Sequence, residues 1–137
     1  KSGDEGWESV SLETLLRESD VLSVHVPLTA ETRGLIGAEQ LAWMKPTAVI
    51  INTSRAEVFD EAALEDALRH RRIAGAGLDV FNQEPIAPAN GLLELDHVVL
   101  SPHSAGHSYE AWFRRSKFAW DNIQRVVAGE APLSIAR

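Results

Sequence analysis

The sequence predicts an α/β fold built on a parallel sheet and closed by a long C-terminal helix. Three observations carry this. Helical and strand-like segments alternate along the chain. The strand-like segments are near-continuous apolar runs, as expected of parallel strands covered on both faces. Polar residues with chemical potential fall just after those runs, at the strand ends where parallel α/β sheets place their sites.

Ser11 is placed to cap a short first helix with Leu12, Leu15 and Leu16 on one face at i, i+3, i+4. Residues 20–25 read as a strand that stops at Pro27, and 38–44 as a short helix ended by Lys45 and Pro46. The run 47–52 reads as a strand covered on both faces. Asp60 can cap the next helix, whose inner face is Leu64, Ala67 and Leu68; Arg69, Arg71 and Arg72 lie near its end, where the dipole favours cations. Residues 73–79 form the third strand, with Ala74, Gly75, Ala76 and Gly77 small enough for a helix to approach closely. A loop rich in Pro and Asn spans 83–90, and Val98, Val99 and Leu100 form the last strand. A long helix is expected over 107–128. Trp112, Phe113, Ala119, Trp120, Ile123, Val126 and Val127 lie on its one broad face, and helical spacing marks the aromatics as core. Gly129 and Pro132 end it.

Composition bounds the function. The 137 residues suffice for one modest domain, and 45% hydrophobic with 24% charged residues is ordinary for a chain that buries a core. A net charge of −7 argues against nucleic acid, whose phosphates demand a basic surface, and against a basic membrane-surface helix. No apolar run approaches the roughly 18 residues of a membrane span. There is no cysteine, so disulfides and thiolate metal sites are excluded, which fits the cytoplasm. Residues 1–6 are polar, without a signal-peptide core or an initiator Met, and read as the start of a fragment, an unusual gene product or a processed chain.

Three segments could carry chemistry. Arg55, third past an apolar strand in Asn52-Thr53-Ser54-Arg55, could grip a carboxylate through two parallel hydrogen bonds; the plain alternative is a surface Arg in a capped loop. Asp79 terminates the third strand and could accept a hydrogen bond from a bound amide, or cap a turn. Glu84 precedes Pro85, which holds it extended; most lone loop Glu residues are simply solvated. His103 directly follows the last strand, with small residues leaving its ring room beside a ligand. Arg, Glu and His at the ends of consecutive strands amount to more than their sum. A carboxylate beside an imidazole favours imidazolium, a general acid able to protonate a carbonyl oxygen as hydride arrives. His25 could line a cleft or be a satisfied strand-end His, and His70, His97 and His107 read as structural or exposed. With no HExxH, EF-hand pattern or nucleophile elbow, no metal site is expected.

Six segments in order carry a family resemblance: residues 19–29, 32–36, 52–55, 60–64, 75–81 with Glu84-Pro85, and 101–106. Over about 12–132 the chain resembles the D-isomer-specific 2-hydroxyacid dehydrogenases, among them phosphoglycerate dehydrogenases and glyoxylate/hydroxypyruvate reductases. The resemblance implies that Arg55 binds substrate, Glu84 pairs with the catalytic His, and His103 is that His. It implies an NAD or NADP site touching Val26, Pro27, Thr53, Ser54, Arg55, Asp79, His103 and Gly106, with Asp79 near the nicotinamide amide. Glu rather than Gln at 84 favours a 2-hydroxy/2-oxo acid pair over the formate dehydrogenase branch.

The implied fold is a partial Rossmann-type doubly wound sheet lacking its first two strands. Residues 1–106 would be the C-terminal part of the NAD(P)-binding domain, and 107–137 a helix and tail returning toward a substrate domain. In the 3-2-1-4-5-6 strand order the missing strands are expected between this chain's first and second, leaving a gap or a sheet repacked to close it. The Gly-rich phosphate loop is missing too, since Gly75-Ala76-Gly77 lies inside a strand and fails the context test. Substrate choice and NAD versus NADP are therefore unreadable here, and the chain alone is expected to be inactive and to bind NAD(P) weakly or not at all. Departures from the family pattern are Ala56-Glu57 after Arg55, where Glu57 brings a negative charge toward an anion-binding Arg, Phe59, and His107-Ser108-Tyr109. The resemblance also implies a cytoplasmic homodimer. Two rivals are a corepressor-like module that senses NAD(H) and an inactive truncated remnant.

Overall fold

The computed structural model describes residues 8–135; the polar segment read at 1–6 lies outside them. The chain divides between His103 and Ser104 into two compact units.

The first unit holds four parallel strands in the order β1 (Val21–Val24), β2 (Val49–Asn52), β3 (Gly75–Leu78) and β4 (Val98–Leu100). Its helices are α1 (Leu12–Glu18), α2 (Ala38–Trp43) and α3 (Glu61–Arg69). The fold class is the one expected from the alternation of segments, with most element ends drawn in by a residue or two. Both expected caps are made: the side chains of Ser11 and Asp60 accept from the Thr14 and Ala63 amides at 3.1 Å.

Of the two expected outcomes, a gap or a closed sheet, the closed sheet is seen. β1 pairs directly with β2, with Val21 opposite Val49 and Val24 opposite Asn52. The four strands form one uninterrupted run in chain order, so no further strand lies between the first two. Adjacency in a sheet is set by pairing and packing, and the apolar run of β1 does not encode it.

Coverage also differs from expectation. Burial alternates along β1: Leu22 and Val24 point into the core, while Val21 is 62% exposed. On β2, Ile50 and Asn52 are buried and Val49 and Ile51 only half so. Leu16 of α1, Leu41 of α2 and Leu64, Ala67 and Leu68 of α3 join Leu22, Ile50, Ala76 and Leu78 in one cluster. A single helix-covered face gives the two-residue period of a half-buried strand.

Of the small residues of β3, Ala76 packs in the core with the helices, as expected, while Gly75 serves a strand neighbour. A Cβ on Gly75 would stand 2.5 Å from the His97 carbonyl oxygen, so Gly75 lets the chain entering β4 come close.

Strand register brings the polar positions together. Val24, Asn52, Leu78 and Leu100 lie side by side across the sheet. The next residues, His25, Thr53, Asp79 and Ser101, therefore leave from one edge.

The second unit holds α4 (Tyr109–Val127), capped by the Ser108 hydroxyl, which accepts from the Ala111 amide at 3.1 Å. Gly129 takes the left-handed conformation just past its end, at φ +76°. The core role expected for the helix aromatics is not seen: no residue of α4 is buried, and Trp112, Phe113 and Trp120 are 66%, 56% and 58% exposed. An amphipathic period shows which face a helix can bury and says nothing of what covers it. No helix among the described residues is long and apolar enough to cross a membrane.

Candidate active site

The β1 exit turns at Pro27. Thr32 Oγ1 donates to the Pro27 carbonyl at 2.7 Å and accepts from the Thr29 amide at 2.7 Å, closing a compact loop. This loop is stapled to the segment after β2: the Gly34 amide donates to the Glu57 carbonyl, the Ile36 amide to that of Val58, and the Asp60 amide to that of Ile36. The two strand exits thereby share a concavity of about 540 Å³ lined by His25, Val26, Pro27, Leu28, Thr53, Ser54 and Arg55. His25 meets both readings: it lines this concavity, and its Nε2 lies 2.8 Å from Ser23 Oγ.

The β2 exit is organised by Asn52, 2% exposed. Its Oδ1 accepts from the Ser54 amide and hydroxyl at 3.0 and 2.9 Å, and its Nδ2 donates to the Arg55 carbonyl at 3.0 Å. The exposed Arg55 side chain folds onto its own loop, with Nη1 2.6 Å from the Ser54 carbonyl. Glu57, expected to bring negative charge toward Arg55, also faces Arg33, at 3.9 Å.

Asp79 leaves β3 almost wholly buried. Its amide donates to the Asn52 carbonyl at 3.0 Å, and its Oδ1 accepts from the Ser101 hydroxyl at 2.6 Å. The ends of β2, β3 and β4 are thus tied together by polar groups.

Glu84 and His103 meet, as expected. Glu84 Oε1 accepts from the Phe81 amide at 3.0 Å, and Oε2 lies 2.8 Å from His103 Nδ1. The His103 hydrogen bond, and after it the Phe81 amide, hold the Glu84 carboxyl below its usual range, against burial and the charge of Asp79. An ionised carboxylate can only accept, so Nδ1 carries the proton that faces it. His103 Nε2 is then the ring nitrogen left for chemistry. The backbone of His103 is left-handed at φ 52°, a conformation that costs free energy outside glycine and clusters at functional sites. Its amide donates to the Ser101 carbonyl at 3.0 Å, which anchors that turn. Phe81, Pro85, Ile86 and Pro102 complete a largely apolar hollow of about 390 Å³ around the pair.

The expected residues therefore divide. Glu84 and His103 share one hollow, while Val26, Pro27, Thr53, Ser54 and Arg55 share another. Asp79 lies buried between strand ends, and Gly106 belongs to the second unit, its carbonyl accepting from Arg115 Nη2 at 2.6 Å. His97 is structural, its Nε2 3.1 Å from the Leu68 carbonyl. Asn52 and Ser101 are the residues that sequence reasoning passed over. Their signal was a polar side chain at the inward end of one apolar run and just past another.

A parallel sheet whose strands end in one row defines a Rossmann-type domain, and the carboxylate–imidazole pair stands at that row, where such sheets bind their ligands. The D-isomer specific 2-hydroxyacid dehydrogenase, NAD binding domain family matches residues 1–105, and the chain belongs to that family. A glyoxylate reductase of Korarchaeum cryptofilum is 53% identical over 127 residues, spanning 93% of this chain and 38% of that protein. An acyclic imino acid reductase solved with NADPH and D-Arg superposes with a TM-score of 0.89 at 36% identity, over 100% of this chain and 43% of its own. A D-lactate dehydrogenase with NAD+ from Lactobacillus jensenii gives 0.86 at 30% identity, over 93% and 42%. The chain thus spans well under half the length of these relatives.

Proposed function

We propose that the full-length protein containing this chain is an NAD(P)-dependent oxidoreductase that interconverts a small 2-oxo acid and its 2-hydroxy acid. The observation that carries this is the Glu84–His103 pair at 2.8 Å, held at the strand-end row of a domain of this family.

The residues fit a nicotinamide nucleotide. Val26, Pro27 and Leu28 offer apolar surface, Thr53 and Ser54 offer hydroxyls, and all open on one concavity at the strand ends. Asp79 would take the nicotinamide amide. Gly106 is proposed as a cofactor contact on the family motif alone. The bound nicotinamide supplies or receives the hydride.

The chain's own side chains do the rest. Arg55 swings from the Ser54 carbonyl to hold the substrate carboxylate in two parallel hydrogen bonds, fixing the carbonyl for attack. His103 holds a proton at Nε2 and passes it to the substrate oxygen as negative charge develops there; in the reverse direction Nε2 takes it back. Glu84 fixes Nδ1 as the protonated nitrogen and stabilises the positive ring.

In the whole protein residues 1–106 form part of the cofactor domain and 107–137 return toward a substrate domain. That protein acts in the cytoplasm as a homodimer. Oxidation of NADH or NADPH by the full-length protein with glyoxylate, hydroxypyruvate or pyruvate tests the reading.

A further inference from the structure

Asn52 has a place in this site that the Arg–Glu–His set does not account for. Its side chain is buried at the end of β2, and all three of its hydrogen bonds run forward into the loop that carries Arg55. The Nδ2 bond to the Arg55 carbonyl fixes the backbone of Arg55 itself. The two bonds into Oδ1 fix Ser54, whose carbonyl in turn receives the Arg55 guanidinium. Asn52 also anchors the next strand exit, its carbonyl accepting from the Asp79 amide.

Neither of the side chains nearest to Asn suits this position. The site asks for one acceptor turned toward Ser54 and one donor turned toward the Arg55 carbonyl, on a single short stem. Asp has the shape but no donor when ionised, and Gln is one carbon too long.

We propose that Asn52 is the positioning residue for Arg55: by holding Ser54 and the Arg55 carbonyl it sets where the guanidinium can reach a substrate carboxylate. The inference rests on the proposed dehydrogenase reading, since Arg55 matters only if it anchors such a carboxylate. A displaced anchor weakens binding of the substrate before it slows the chemistry, so the effect falls first on KM.

The test is a double-mutant cycle in the full-length protein, with NAD(P)H and whichever 2-oxo acid is turned over best. Asn52→Asp keeps the shape and replaces the donor; Asn52→Ala, which buries no charge, is run beside it. Each is expected to lower kcat/KM for the 2-oxo acid about 10- to 100-fold, as misplacement on the order of 1 Å does, with the larger share in KM. On an Arg55→Ala background the same substitutions are expected to leave KM within about twofold, because the group they position is gone. A normal KM in both Asn52 variants, or a full multiplicative loss on the Arg55→Ala background, overturns the proposal. If Arg55→Ala itself leaves KM unchanged, the dehydrogenase reading of Arg55 fails instead.

Discussion

Replacing Glu84 by Gln tests how the acid–base pair is built. The carboxylate uses one oxygen for the Phe81 amide at 3.0 Å and the other for His103 Nδ1 at 2.8 Å. Gln has one oxygen and one NH2 in their place, so one of the two N–H donors must face another donor. If Phe81 keeps the oxygen, His103 is pushed toward the tautomer with its proton on Nε2 and its acceptor on Nδ1. If His103 keeps it, the Phe81 amide is left unmet. An unmade hydrogen bond costs about 1–3 kcal/mol when buried. Glu84 and His103 side chains are 37% and 51% exposed, so water recovers part of that and the lower end applies. About 1.4 kcal/mol is tenfold in rate. The expected result is therefore a kcat about tenfold below wild type in Glu84→Gln, read from NAD(P)H absorbance in the full-length protein. A kcat within about twofold of wild type would refute the reasoning. So would a loss as deep as that from removing His103, since Glu84 would then be a direct participant in proton transfer.

Two further outcomes are expected. The folded state holds the Glu84 carboxyl below its ordinary 4.5, so the pair contributes stability that is present above that value and lost as pH falls through the lowered one. Denaturant titrations should show Glu84→Gln slightly less stable than wild type at neutral pH and level with it in strong acid; a gap that widens in acid reverses the sign and contradicts the assignment. Ile50, fully buried in β2 between Leu22 and Ala76, should cost about 2–5 kcal/mol on truncation to Ala. Val99→Ala, at a side chain 73% exposed on β4, should stay within about 0.5 kcal/mol. Equal losses in the two denaturation curves would mean that the covered face has been misidentified.

Much of the fold is legible in the sequence because its signals are local. Apolar runs fix β1 to β4, Ser11 and Asp60 mark helix starts, and the polar residues just past the runs mark the site edge. Pairing is not local, and there the expectation stays divided. Nothing in residues 20–25 or 47–52 says that these strands are neighbours, and a borrowed strand order allows a gap or a closed sheet where β1 and β2 hydrogen-bond directly. The face of α4 is legible as amphipathic, but burial of Trp112 or Trp120 depends on what lies against that helix. Glu84 and His103 stand out by motif and position, 19 residues apart, and the structure brings them into contact. The roles of Asn52 and Ser101 escape sequence reasoning because their partners, Arg55 and Asp79, are set by how the chain turns after each strand.

Proton delivery by His103 coupled to hydride transfer is open to a single comparison. Turnover of NAD(P)H with glyoxylate, hydroxypyruvate or pyruvate is compared between the full-length wild-type protein and His103→Ala. Clear oxidation is predicted with at least one of these acids, together with a loss of about 10²–10⁴-fold in the variant. Absence of turnover by the wild type with any of them, or a variant as fast as wild type, would contradict it.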